Sequence, residues 1–192
     1  MNTRNARVIS VRLLFVATML ATMHAPAWAN DSVYMRVTGV KGESSLPDWS
    51  DAIELTSVDF GGRSVVSGQR SGRASQLTDI TIHKEADATT PKLLDLLSKG
   101  GAVIKDNDQV GVEFRFYRIV RNQKVEYMRV KLKGAVLRSH RLALESGQER
   151  PSSKLTLGYQ KIQITYWPYD EGGNRGTPVA AKWDKSTRTA SF

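Results

Sequence analysis

Val110-Gly111-Val112-Glu113-Phe114-Arg115-Phe116 sets apolar residues at every second position, and Met128-Arg129-Val130-Lys131-Leu132-Lys133 does so again beyond a polar Arg121-Asn122-Gln123-Lys124. Period two is the signature of a strand with one buried face. The two runs predict a long antiparallel hairpin around a polar turn. Val112, Phe114, Phe116, Met128, Val130 and Leu132 share its inner face, and Arg115, Arg129, Lys131 and Lys133 point outward.

The same alternation spreads in both directions from this hairpin. Upstream, Val33, Met35 and Val37 share one phase, Ile53-Glu54-Leu55 repeats it, and Ile80-Thr81-Ile82 predicts a further short strand. Val58 and Phe60 continue the Ile53-Leu55 pattern one residue out of step, as a bulge allows. Downstream, Leu155, Leu157 and Tyr159 lie on one phase and Ile162, Ile164 and Tyr166 on the other, which predicts a kink near Gln160-Lys161. Strands re-aimed in this way suit a sheet that curls, so the fold expected is mainly β, an antiparallel β-barrel with one flanking α-helix. That helix is read from Thr89 or Thr90 as cap, Pro91 at its first position, an apolar face of Leu93, Leu94, Leu96 and Leu97, and Gly100 as terminator. It is short enough to need the sheet for its stability, either plugging an open end or covering one face. Residues 61–76, rich in Gly, Ser and Arg, and residues 139–153 read as loops; the first is long enough to suggest a function. A Gly-rich tail over about 169–192 carries an apolar patch at Val179-Ala180-Ala181-Lys182-Trp183.

The front of the chain has a different character. Arg4, Arg7 and Arg12 precede an apolar stretch from Leu13 to Met23, then Pro26 and Ala27-Trp28-Ala29. This order of charge, apolar run and small residues predicts a cleavable signal peptide over residues 1–29, cut between Ala29 and Asn30. The apolar run is near half of the about 20 residues a membrane-spanning helix needs. Export across the inner membrane, to the periplasm or beyond, follows from this reading. A start at Met19 or Met23 is the alternative, and it leaves the protein in the cytoplasm before any secretion. Residues 30–192 form a single expected domain, with 25 Lys and Arg against 19 Asp and Glu. The charges are interspersed, so a solvated surface is favoured over a specific nucleic-acid site. Cysteine is absent, which removes thiol catalysis and cysteine-based metal sites and leaves the fold to packing and backbone ladders.

Catalytic patterns are not found. His83 and His140 sit in different segments without ligand spacing and read as surface histidines. Ser67-Gly68 and Ser71-Gly72 lack a nucleophile elbow, and Gly61-Gly62 and Gly172-Gly173 lack the setting of a phosphate cradle. Asp51 and Glu54 fall on opposite sides of a strand, which gives no support for paired-carboxylate chemistry. Phe114, Phe116 and Tyr166 lie on inward phases and read as packing, with Tyr127 beside Arg129 and Lys131 the one weak candidate for base stacking. No catalytic residue, cofactor or metal is expected.

Read together, Tyr34-Met35-Arg36-Val37-Thr38-Gly39-Val40-Lys41-Gly42-Glu43-Ser44, then Ile82-His83-Lys84-Glu85-Ala86-Asp87 leading to Thr90-Pro91-Lys92-Leu93, resemble the haemolysin-coregulated protein (Hcp) family. The helix ending in Ser98-Lys99-Gly100, the strand Val125-Glu126-Tyr127-Met128 and the closing Ala181-Lys182-Trp183-Asp184 extend the resemblance over nearly all of residues 30–192. The resemblance implies a non-enzymatic β-barrel subunit that forms a homohexameric ring. Such rings stack into the inner tube of the type VI secretion machine, hold small effector proteins in the lumen, and work with a spike and a contractile sheath. It implies no toxin domain after Asp184. Within that frame Gly62, Arg63, Arg70 and Arg73 become the candidate inter-subunit loop. Members of the family ordinarily carry no signal peptide, so an exported Hcp-like binding module outside the tube is the alternative function.

Overall fold

The computed structural model describes residues 31–66, 73–100, 104–105, 111–144, 146–147, 149–170 and 172–192. Twelve strands and one helix appear in chain order among them: β1 (Ser32–Val37), β2 (Ile53–Leu55), β3 (Ser57–Asp59), β4 (Gly62–Val66), β5 (Arg73–Leu77), β6 (Ile80–Glu85), α1 (Thr90–Ser98), β7 (Val112–Val120), β8 (Gln123–Lys133), β9 (Val136–Ala143), β10 (Ser152–Gly158), β11 (Lys161–Tyr166) and β12 (Val179–Asp184). They build a six-stranded antiparallel sheet, β12-β11-β8-β7-β1-β2, a four-stranded sheet, β3-β6-β10-β9, and the separate hairpin β4-β5.

The expected central hairpin is β7–β8. It turns through Arg121 and Asn122, both with positive φ (49° and 61°), the backbone that matches the right-handed twist of the strands it joins. Val120 pairs with Gln123, so β8 starts well before Met128, and the turn is two residues long. Val112, Phe114, Val130 and Leu132 are buried as expected, while Phe116 and Met128 are half-buried. The register shift after Phe116 leaves Tyr127 as an extra residue on β8. At that bulge the inner face reaches the rim of the sheet.

Both phase shifts read as bulges are places where the chain leaves one sheet for the other. Ile53 and Leu55 lie in the six-stranded sheet, while Val58 lies in the four-stranded one; between them the Thr56 amide donates to the His83 carbonyl at 2.9 Å. Leu155 and Leu157 belong to the four-stranded sheet and Ile162 and Ile164 to the six-stranded one. At that corner Gln160 donates to the Lys133 carbonyl (3.1 Å) and accepts from Lys185 (2.8 Å). A strand that changes sheets must flip its buried phase, because the core lies on a new side of it.

These corners also correct the barrel expectation. Among the described residues no sheet closes on itself: β12 and β2 edge the larger sheet, β3 and β9 the smaller, and the corners carry one or two backbone hydrogen bonds in place of a continuous ladder. The result is two open sheets facing each other across one apolar core. That core includes Met35, Ile53, Phe114, Val130, Leu132 and Ile162 from one sheet and Ile80, Ile82, Leu137, Leu155 and Leu157 from the other.

Helix α1 adds Leu93 to the core and packs against β9. Thr89 is its cap and Pro91 its second residue, not its first; Gly100, at φ 82°, closes it with its amide on the Leu97 carbonyl. Leu96 and Leu97 pack on the core, but Leu94 is 54% exposed, so the buried stripe is narrower than the four leucines suggest. The 139–153 loop expectation also needs correction, since residues 139–143 belong to β9 and Ser152 and Ser153 to β10. β9 is an edge strand whose polar residues occur on both phases, so its alternation is hidden. In the tail, Val179–Asp184 form β12, paired with β11 along its length.

Candidate functional site: assembly surfaces and polar anchors

Residues 61–76, expected as a loop, are largely the hairpin β4–β5, with Gly62 opposite Leu77, Arg63 opposite Gln76 and Val66 opposite Arg73. It joins neither large sheet. A ribbon outside both large sheets takes no register from them, which is why its sequence looks like a loop. Its foot is tied down: Gly61 and Thr78 exchange backbone and hydroxyl hydrogen bonds at 2.9–3.0 Å. Arg63 is exposed and its guanidinium donates twice to Gln76 Oε1, at 3.0 and 3.1 Å. Of the four candidate inter-subunit residues, the structure places Gly62 and Arg63 on β4 and Arg73 at the start of β5; Arg70 lies outside the described residues. Ala27, Ala29 and Asn30, the candidate cleavage residues, also lie outside them, as do Ser67, Gly68, Ser71 and Gly72.

At the hairpin foot an open groove of about 440 Å³ is lined by Phe60, Leu77, Tyr159, Ile162, Ile164 and Trp183, among others. It lies against β11 and β12, the last two strands at one edge of the six-stranded sheet. Desolvation, with Asp79 nearby, pushes the Tyr159 hydroxyl up to about 12. A second cleft, of about 570 Å³, has a different chemistry. It lies by β2, at the other edge of the same sheet, and Glu43, Glu54, Glu85, Asp87, Lys124 and Arg150 contribute to its walls. The chain thus carries two unlike surfaces at opposite sheet edges.

The residues that spell the Hcp resemblance turn out to be structural anchors. In Lys41-Gly42-Glu43-Ser44 the Gly42 amide donates to the Asp51 carbonyl (2.8 Å) and the Ser44 amide to the Ala52 carbonyl (2.9 Å). A side chain at Gly42 would collide with the backbone of Ala52 and Ile53, so only glycine allows this approach. Lys84 is fully buried, with its ammonium 2.7 Å from Asp87 Oδ1, 2.6 Å from the Glu85 carbonyl and 3.3 Å from Thr90 Oγ1. Asp87 also accepts from the Thr89 amide at 2.9 Å, which sets the turn into α1. Desolvation raises the Asp87 pKa, but hydrogen bonds from Lys84 and Thr89 and the Lys84 charge outweigh it and hold the carboxyl below the usual range.

The outer face of the six-stranded sheet is less plain than outward charges suggest. Trp49 is buried there with the guanidinium groups of Arg36 and Arg115 at 4.8 and 4.3 Å, and Tyr34 meets Tyr117 edge to face. Glu113 bridges Arg115 (2.7 Å) and Arg129 (3.4 Å), and Glu126 holds Arg129 at 2.6 Å. Tyr127 packs against Phe116, Tyr166 and the Arg118 guanidinium, and Tyr166 is 40% exposed, not inward. The Trp49 and Tyr34–Tyr117 contacts are not visible as motifs, because their partners are far apart in sequence. His140 is half-buried, not a plain surface residue, and its Nε2 lies 3.2 Å from Ser153 Oγ. Among the described residues no group of three or more His, Asp or Glu side chains is placed to hold a metal ion.

Comparison with known proteins agrees with this architecture. Residues 34–166 match the family model described as type VI secretion system effector, Hcp. Protein hcp1 of Pseudomonas aeruginosa is 27% identical over 107 residues, which are 55% of this chain and 62% of that protein. A structure described as a type six secretion system protein superposes with a TM-score of 0.69 at 17% identity, covering 82% of this chain and 98% of the other. Hcp1 from Salmonella typhimurium gives 0.64 at 13% identity, covering 83% and 98%. At such identities the solved structures speak for the fold, and the family model speaks for kinship. The chain belongs to the Hcp family of the type VI secretion system.

Proposed function

We infer that this protein is a ring-forming, non-enzymatic tube subunit, built to associate head-to-tail with copies of itself into a homohexamer. The observation that carries this reading is the pair of unlike surfaces at opposite edges of the six-stranded sheet, in a chain of the Hcp family. A closed ring of identical subunits needs two different patches that fit each other, which a self-complementary dimer does not. The free hairpin β4–β5 supports the same reading. Its tied foot and exposed Arg63 suit it to reach a neighbour, and with it Gly62, Arg70 and Arg73 are assigned to the contact between subunits or stacked rings. The ring lumen then holds small effector proteins, and spike and sheath are the further partners. No cofactor enters this function.

Export gives a second reading its specific support. Residues 1–29 have the order of a cleavable signal, with Ala27 and Ala29 before the bond to Asn30. On that reading the mature chain is an Hcp-like binding module in the periplasm or outside the cell. Two measurements separate the alternatives. Sedimentation of residues 30–192 at micromolar concentration is expected to show a particle of six subunits; a monomer throughout would overturn the ring. The N-terminal residue of the native protein reports the compartment: Asn30 means export, and Met1, Met19 or Met23 means cytoplasmic assembly. Ala29→Asp should leave the precursor uncut if cleavage occurs at that bond.

A further inference from the structure

Near the start of α1 the inner face of the four-stranded sheet ceases to be apolar. Register places Leu155 between Ile82 and His140, and one step along the same face places Ser153 opposite Lys84. Lys84 and Ser153 are buried. His140 Nε2 is 3.2 Å from Ser153 Oγ, while its Nδ1 is buried and has no hydrogen-bond partner. The same β9 that carries His140 is the strand on which α1 packs.

In the neutral ring the least costly arrangement has Nε2–H donating to Ser153 and a bare lone pair at Nδ1, because an orphaned buried N–H is the more expensive defect. Protonation adds that N–H with no acceptor to receive it. It also adds a second cation beside Lys84, whose carboxylate partner among the described residues, Asp87, is already engaged. The other charged groups nearby offer no relief. On α1, Lys92, Asp95 and Lys99 are exposed, and Asp95 pairs with Lys99. On β9, Arg138 and Arg141 are exposed, with Arg138 bound to Asp79; Lys154 on β10 is exposed and pairs in register with Arg141 and His83.

We propose that His140 is an acid-sensitive latch for α1: neutral, it lets the helix seat on the four-stranded sheet; protonated, it loosens the helix and the 86–89 connection while the two sheets stay folded. Burial, and then the Lys84 charge, lower the affinity of the ring for a proton, in agreement with this geometry. The sign follows from that direction. A depressed folded value means that the seat is complete above the ordinary histidine pKa of about 6.5 and weakens as pH falls below it. The latch is independent of ring formation and of any export.

Amide hydrogen exchange on the purified protein tests it, at about pH 7.5 and about pH 5, on either side of the ordinary histidine range. After correction for intrinsic rates, residues 93–97 should lose protection severalfold at the lower pH. The strands β7 and β8 should lose none. In H140Q the helix should be equally protected at both values, and H83Q should behave as the parent. Unchanged protection in the parent, or the same loss in H140Q, would overturn the latch. An NMR titration of the parent gives a reading that does not depend on H140Q folding. There the His140 ring should titrate below the ordinary histidine value, and a value at or above about 6.5 would overturn the proposal.

Discussion

Two hairpins of this molecule, β7–β8 and β4–β5, have the same antiparallel pairing and opposite duties. β7–β8 lies in the middle of the six-stranded sheet and buries Val112, Phe114, Val130 and Leu132 against the facing sheet. β4–β5 pairs only with itself, and within it Arg63 meets Gln76 in the open. Backbone ladders alone therefore do not distinguish core from appendage. What differs is whether an apolar face has a second layer to bury it, since a lone two-stranded ribbon is marginal in water. On the proposed function this division is useful: the interior carries stability, and the ribbon is available for contacts with other copies.

The largest effect that could break this comparison is at Phe114. Phe114→Ala empties a fully buried site and should cost about 3–5 kcal/mol in chemical denaturation, whereas Arg115→Ala, one residue along, should change stability far less. Similar losses at the two positions would mean that the sheet faces are assigned the wrong way round.

An intermediate effect is expected at the polar anchor between the sheets and α1. Asp87→Asn leaves the buried Lys84 ammonium without its carboxylate and should cost about 1–3 kcal/mol. The pH dependence sharpens this. Because the folded carboxyl is held below its ordinary value, its contribution is complete above about pH 4 and is lost as pH falls through the lower folded value. Below that point the parent and Asp87→Asn should converge in stability. A constant gap down to the acid limit would show that the aspartate acts by packing alone.

The smallest change in stability should come from removing the free hairpin. Replacing residues 63–76 with a short Gly-Ser turn should shift stability by no more than about 1 kcal/mol, since the hairpin pairs with neither large sheet. Its far-UV spectrum should keep the β character of the parent, while the sedimentation coefficient should fall toward that of the monomer. A large loss of stability would move β4–β5 into the same class as β7–β8 and undo the comparison.

Much of the anchor chemistry could be read in part before the fold was known. Lys84, Asp87, Pro91 and Gly42 stand in the sequence as carriers of the Hcp resemblance. Their reasons, a buried ammonium and a backbone too close for a side chain, needed the tertiary neighbours. The Trp49 site between Arg36 and Arg115 gave no signal at all, because nothing local announces which distant strands will share a face. His140 reads as a surface residue in the sequence for the same cause: its neighbours are a serine thirteen residues away and a lysine from another strand.

The central strands, a polar turn within residues 121–124 and the helix with its Gly100 stop are written into the chain locally. Alternation, turn chemistry and capping act over a few residues, so a linear reading reaches them. Whether the sheets close was settled elsewhere. Residues 55–58 and 158–161 each show a phase shift, and a bulge within one curling sheet and a crossing between two open sheets leave the same mark in sequence. Only the long-range pairing separates them, because the burial of a side chain depends on which layer comes to lie above it.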